Sequence, residues 1–266
     1  MTILEEIIAF KKTEAAERRE LVPVKKLERS GHFTAPVISL VNYLDRSDKV
    51  GIIAEIKRRS PSKGMLNEYI SVEQLSIGYM QAGASALSVL TDTKYFDGSN
   101  DDLTLARKFN YCPILRKDFI VDEYQIVEAR AIGADAILLI AGALDSSQIK
   151  IFSALAASLG LEVVLEVHSI DEVPDDLQNI DVLGVNNRDL KDFTTDVKRS
   201  FEIAEKLSAN GITKISESGL GDAETILELK KAGFKGFLIG ESFMRNSRPE
   251  EACAALVQKL QEAKNQ

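Results

Sequence analysis

Four apolar runs in this 266-residue sequence end on ionisable side chains. Ala54-Glu55-Ile56-Lys57 closes the first and Leu115-Arg116-Lys117-Asp118 the second. Leu165-Glu166-Val167-His168 closes the third and Ile215-Ser216-Glu217-Ser218 the fourth. Carboxylates and ammonium groups gathered out of water shift one another's pKa values, and acid and base roles then separate. Glu55, Lys57, Lys117, Glu166 and Glu217 are the candidates for such chemistry. Taken singly, each reads equally well as a surface salt-bridging residue. The repetition over four runs argues for one shared site.

Two further segments suit an anion. Glu217-Ser218-Gly219-Leu220-Gly221 and Gly240-Glu241-Ser242-Phe243-Met244 each follow an apolar run. Glycine lets backbone N–H groups come close to a phosphate. Gly219-Leu220-Gly221 is not a dinucleotide motif, because Glu224 stands where the third glycine belongs. The dense basic run Lys57-Arg58-Arg59-Ser60-Pro61-Ser62-Lys63-Gly64 reads as a mobile loop that helps to grip an anion. Lys57 is its inward member; Arg58, Arg59 and Lys63 read as solvated. His168 reads as a surface histidine at a helix start. Tyr95-Phe96 either lines a site or covers helix ends.

The elements that must hold these residues alternate from residue 50 onward. Buried strands are predicted at Val50–Ile56, Ala86–Leu90, Pro113–Leu115, Ala136–Ile140, Glu162–Val167, Val182–Val185, Ile212–Ile215 and Gly236–Ile239. Helical stretches lie between them at Val72–Gln81, Glu123–Ile132, Ser146–Ser158, Phe201–Ala209 and Ala223–Lys231. Gly83, Gly133 and Gly233 each close a helix before a strand, fifty and then one hundred residues apart. Fifty residues is two βα units, so the glycines introduce strands 2, 4 and 8. Strand 6 follows near 183 without one. Eight units in this length predict an α/β fold, a (βα)8 TIM barrel; an open doubly wound sheet is the alternative. In a barrel the odd strands would place Glu55 or Lys57, Lys117, Glu166 and Glu217 in one layer at the catalytic end. Residues 1–48 lie outside the repeat. Helices are predicted at Ile3–Arg19, from Pro23, and at Ser39–Leu44. This helical extension lacks the apolar content for its own core, so residues 1–266 are expected to form one domain, with 49–266 the barrel.

The net charge of −8 argues against a broad nucleic-acid face. Two cysteines and two histidines make a disulfide framework or a Cys/His zinc site improbable. No signal peptide and no apolar run of membrane-spanning length is evident, so a cytoplasmic protein is expected.

Ile53-Ala54-Glu55-Ile56-Lys57-Arg58-Arg59-Ser60-Pro61-Ser62 resembles the signature of the indole-3-glycerol phosphate synthase family. Ser88–Asp92, Tyr95–Ser99, Leu115–Ile120, Gly184–Leu190, Ser216–Leu220 and Phe237–Ser242 agree in order and spacing, over about residues 36–250. The resemblance implies closure of 1-(2-carboxyphenylamino)-1-deoxyribulose 5-phosphate to indole-3-glycerol phosphate, with loss of CO2 and water. It implies Lys117 as general acid for ring closure and Glu166 as acid/base of dehydration. Glu55 and Lys57 would contact the reacting groups, and Asn186, Glu217 and Arg188 would complete the polar shell. Ser60, Ser218, Gly219, Gly240 and the backbone of Glu241 would hold phosphate with Lys57. Phe96 and Leu238 would cover the anthranilate ring. No metal or organic cofactor is implied; the substrate is the small-molecule partner, and a monomer or weak homo-oligomer is expected. The Glu-Ile-Lys and Leu-Arg-Lys-Asp-Phe motifs speak against two rival barrels, phosphoribosylanthranilate isomerase and the tryptophan synthase α subunit.

Overall fold

The computed structural model describes residues 2–189, 193–207 and 211–264. Eight parallel strands close on themselves: β1 (Ile52–Ile56), β2 (Ala86–Leu90), β3 (Ile114–Lys117), β4 (Ala136–Ile140), β5 (Glu162–Val167), β6 (Val182–Asn186), β7 (Thr213–Glu217) and β8 (Gly236–Ile239). Each pairs with its sequence neighbours, and β8 pairs with β1, so the open sheet is excluded. Outside the strands run α4 (Val72–Gln81), α5 (Asn100–Phe109), α6 (Glu123–Ile132), α7 (Ser146–Ser158), α8 (Lys198–Lys206), α9 (Ala223–Lys231) and α11 (Pro249–Lys264). A four-residue helix, α10 (Glu241–Met244), follows β8. The β5–β6 connection carries the 3-10 turn Ile170–Glu172.

Local sequence explains most of these limits. Asp122 and Asp145 start α6 and α7 with capping boxes closed by Gln125 and Gln148. Gly83, Gly133 and Gly233 take left-handed φ values of 99°, 96° and 92°, each three residues before a strand. Asn179, with φ 62°, holds the same station before β6. Asparagine tolerates that conformation better than most side chains, so the repeat is complete where the glycine was missing. Strands β3, β6 and β7 run past their predicted ends to include Arg116, Lys117, Asn186, Ser216 and Glu217. The prediction stopped where apolar character stopped; the backbone ladder does not. β1 begins at Ile52, since Gly51 turns into it with φ 83°. Helix α8 spans Lys198–Lys206, earlier than predicted, and the predicted end at Ala209 lies outside the described residues.

Inside the barrel, Ile53, Leu115, Val164 and Ile215 of the odd strands form a buried apolar layer. Two residues further along the same strands stand Glu55, Lys117, Glu166 and Glu217. Glycines on or just after even strands make room for two of these carboxylates. A Cβ at Gly184 would lie 2.6 Å from Glu217 Oε1, and one at Gly240 would overlap Glu55 Oε1.

The three helices of the extension, α1 (Ile3–Leu21), α2 (Val24–Leu27) and α3 (Leu40–Leu44), all pack on the barrel. Leu40 and Leu44 of α3 join the interior cluster from below. Glu162, the first residue of β5, accepts from the Leu40 and Val41 N–H groups at 2.7 and 3.1 Å and so anchors that plug. α2 packs Leu27 against Tyr124 and Ala131 of α6. α1 crosses the opposite end, tied down by one fully buried cation. Lys11 Nζ lies 2.7 Å from Asp118 Oδ1 and 3.2 Å from Asp92 Oδ2. Asp118 also meets Arg116, whose guanidinium is wholly buried outside the barrel and donates to Glu128 at 2.7 Å, the Gln125 carbonyl at 2.7 Å and Thr91 at 3.0 Å. No helix among the described residues is long and apolar enough to cross a membrane.

Candidate active site

A cavity of about 700 Å³ opens at the C-terminal ends of the strands, where barrel enzymes place their chemistry. Its floor is the charged layer. Lys117 Nζ donates to Glu166 Oε2 at 2.6 Å and lies 3.0 Å from Glu217 Oε2. Asn186 donates to Glu166 Oε1 at 3.0 Å. Lys57 Nζ lies 2.5 Å from Glu55 Oε1, and Ser88 donates to Glu55 Oε2 at 3.5 Å. Glu55 and Lys57 therefore both reach the cavity, two residues apart at the end of β1.

Burial and charge pull these groups apart. Burial works against the Lys117 ammonium, but Glu166 and Glu217 outweigh it and hold its pKa above the ordinary lysine value. Burial likewise penalises the Glu166 carboxylate; Lys117 and then His168 overcome that and bring it down to about 2. Glu217 goes the other way. Burial, with Glu166 and Glu55 nearby, pushes it up to about 7 against the pull of Lys117. One carboxyl is thus firmly ionised and its neighbour titrates near neutrality, a separation that suits acid/base work.

The closed strand order sets β7, β8 and β1 side by side, and β2, β3 and β4 follow them around the mouth. Ser218 and Gly219 follow β7 with left-handed φ values of 67° and 75°. Asn187 holds this turn by donating to the Glu217 and Ser218 carbonyls, both at 3.0 Å. Gly240, Glu241 and Ser242 follow β8, and Ser60, Ser62 and Lys63 follow β1; all reach the cavity. Arg188 donates to Ser62 Oγ and to Glu241 Oε2, each at 2.8 Å. Arg245 takes the other Glu241 oxygen at 2.6 Å, so two guanidinium groups neutralise the carboxylate at this end. Facing it are Leu90, Phe96, Phe119, Leu138 and Ile140, with Ile3, Leu4 and Ile7 of α1. Phe96 and Phe119 meet at 6.0 Å between ring centroids. Leu238 of β8 completes the apolar lining.

Every predicted site residue lines this one cavity: Glu55, Lys57, Lys117, Glu166, Asn186 and Glu217, with Ser60, Phe96, Arg188, Ser218, Gly219, Leu238, Gly240 and Glu241. Two expectations around the site need correction. His168 is not a surface residue: its side chain is 13% exposed and lies between Glu166 and Glu172. Arg58 is not solvated; it makes two hydrogen bonds to Asp102, at 2.6 and 2.9 Å, that fasten the basic run to α5. Within that run Arg59–Ser60 pairs antiparallel with Gly64–Met65. Tyr95 and Phe96 separate: Tyr95 donates to Glu6 of α1 at 3.0 Å, whereas Phe96 enters the cavity.

Comparison with known proteins agrees. The family model for indole-3-glycerol phosphate synthase matches residues 4–256. The chain belongs to the indole-3-glycerol phosphate synthase family. An indole-3-glycerol phosphate synthase of Bacteroides thetaiotaomicron is 44% identical over 97% of this chain and 99% of its own length. That of Laribacter hongkongensis is 39% identical over 96% of this chain and 98% of its own. Among solved structures, a mutant tryptophan synthase α subunit of Pyrococcus furiosus superposes with a TM-score of 0.61 at 14% identity, covering 81% of this chain and 99% of its own. That likeness shows the barrel alone. The family match begins at residue 4, well before the motifs that suggested it, and so takes in α1. The part of α1 in the cavity was missed. Ile3 and Ile7 share a helix face, yet nothing local says that this face meets the mouth.

Proposed function

We propose that this chain catalyses ring closure of 1-(2-carboxyphenylamino)-1-deoxyribulose 5-phosphate to indole-3-glycerol phosphate, releasing CO2 and water. Family membership supports the reaction. The observation that carries it to these residues is the charged floor set between an apolar wall and a glycine- and serine-rich wall. The substrate has the same three parts: an aromatic ring, a reacting ribulose chain and a phosphate.

Phosphate would lie against Ser60, Ser218, Gly219, Gly240 and the Glu241 N–H, with Lys57 at its inner side. The Glu241 carboxylate is held by Arg188 and Arg245 and so does not repel it. The anthranilate ring would lie against Phe96 and Leu238. That leaves the ribulose carbonyl over Lys117, which carries a proton throughout the neutral range and can donate it as the aromatic carbon attacks. Glu55 and Lys57 then face the substrate carboxylate that departs as CO2. Glu166, ionised in the free site, takes the ring proton and helps to expel the hydroxyl. Asn186 orients Glu166, and Glu217 shares Lys117 with it. No metal or organic cofactor enters this scheme. We read residues 1–48 as an extension of one domain spanning 1–266, with 49–266 the barrel, a cytoplasmic enzyme acting as a monomer or weak homo-oligomer.

The test is direct. Mixing the protein with the carboxyphenylamino substrate should give indole product fluorescence. Silence at high protein concentration would mark an idle barrel.

A further inference from the structure

His168 lies outside the cavity lining, yet its ring reaches the floor chemistry. Nε2 is 3.7 Å from Glu166 Oε1, and Nδ1 is 3.5 Å from Glu172 Oε2. Nε2 is buried and makes no hydrogen bond among the described residues. A neutral imidazole so placed either turns a lone pair toward a carboxylate or leaves a buried N–H unsatisfied, both of which cost stability. An imidazolium has a carboxylate on each side instead. Three charged groups face the ring: Glu166 on its own strand, Glu172 on the 3-10 turn, and Arg199 on α8. Arg199 opposes the cation, but it is engaged by Asp189 at 3.6 Å and by the Asn186 carbonyl at 3.3 Å. Beyond Glu166 stand Lys117 and Glu217.

A second cation matters at one moment of the cycle. Lys117 is the near counter-ion of Glu166. When Lys117 gives its proton to the substrate, that charge disappears. Glu166 is buried, and a buried carboxylate stripped of its counter-ion tends to pick up a proton. We propose that His168 is a positioning residue: as an imidazolium held by Glu172, it keeps Glu166 ionised and ready to accept a proton, without touching substrate. The inference rests on the assignment of Glu166 as acid/base. Burial alone would strip the ring of its proton; Glu172 and Glu166 outweigh it, and the imidazole pKa is raised.

The experiment compares pH–rate profiles of the wild type, His168→Asn, Glu172→Gln and Glu166→Gln. Loss of a cation at this range raises a carboxyl pKa by about one unit. The acid limb of kcat in His168→Asn should therefore move up by about that much while KM stays in place. Glu172→Gln should move it the same way by less. The chain has two histidines, so a His32→Asn background leaves a single imidazole for NMR titration in the intact protein. It should titrate above its ordinary value and fall when Glu166→Gln is added. An unmoved acid limb in folded His168→Asn overturns the proposal. So does an imidazole indifferent to Glu166→Gln, which decides the matter if His168→Asn does not fold. Full turnover by Glu166→Gln would instead remove Glu166 from the mechanism, and this inference with it.

Discussion

Two clusters of buried charge lie back to back on β3. Outside the barrel, Arg116, Asp118, Lys11, Asp92 and Glu128 interlock. Inside, Lys117, Glu166, Glu217, Lys57 and Glu55 do so. Each cluster holds two cations and three carboxylates, and Arg116, Lys117 and Asp118 are consecutive. What differs is what is left over. The Arg116 guanidinium has acceptors on all three of its nitrogens, and Asp118 is held down to about 2 by Lys11 and Arg116 against its own burial. In the inner cluster Glu217 Oε1 has no hydrogen-bond partner, and its carboxyl titrates near neutrality. Asp92 Oδ2 of the outer cluster also lacks a hydrogen bond, but it lies 3.2 Å from the buried Lys11 ammonium, whereas all five inner residues line the open cavity. A network enclosed by protein fixes the structure. One that borders a cavity keeps capacity for a ligand.

The sharpest break in this contrast is Lys117→Ala. Turnover should vanish while a substrate analogue still binds, with the fold intact by circular dichroism; near-normal turnover would refute its role as the acid. Glu166→Gln comes next, with a rate loss of about 10²–10⁴-fold. Undiminished activity in steady-state assays would remove it from the chemistry. Arg116→Met should act on the other side of the strand. Asp118 keeps Lys11 and Glu128 keeps Arg18, but each loses a buried partner, which should cost about 3 kcal/mol of stability, read by urea unfolding. Molecules that remain folded should keep turning over. A stable Arg116→Met protein would mean that the outer cluster is not what holds α1 and β3 together.

The smallest effect is one of pH. The Glu217 carboxyl rises from 4.5 to about 7 in the folded protein. The folded state therefore binds this proton more tightly than the unfolded chain does. Its contribution to stability is complete below pH 4.5 and is lost as pH rises through about 7. Glu217→Gln should consequently melt higher than wild type at pH 8 and no higher at pH 4. An equal melting difference at both values would contradict the raised pKa.

The barrel and its charged layer were legible because strand ends and a fifty-residue period are local facts of the sequence. Glu55, Lys117, Glu166 and Glu217 follow from parity along strands. Arg116 and Asp118 are also charged and flank Lys117 at the same strand end, and only the alternation of side chains across the sheet assigns them to the other face. His168 was misread for a related reason. Its burial comes from Glu172, Arg199 and the turn over β5, which no pattern around residue 168 announces. The contact of α1 with the cavity also joins residues far apart in the chain. Gly184 and Gly240 show the converse case. They look like turn or packing glycines, and they are the empty space that Glu217 and Glu55 occupy.

The α3 plug has a consequence for traffic. Among the described residues Leu40 and Leu44 close the lower end, and the barrel opens at the other, where α1 lies along the edge. Substrate, carbon dioxide, water and the finished indole must all pass the same threshold. A bulky product must therefore leave by the way the next substrate enters.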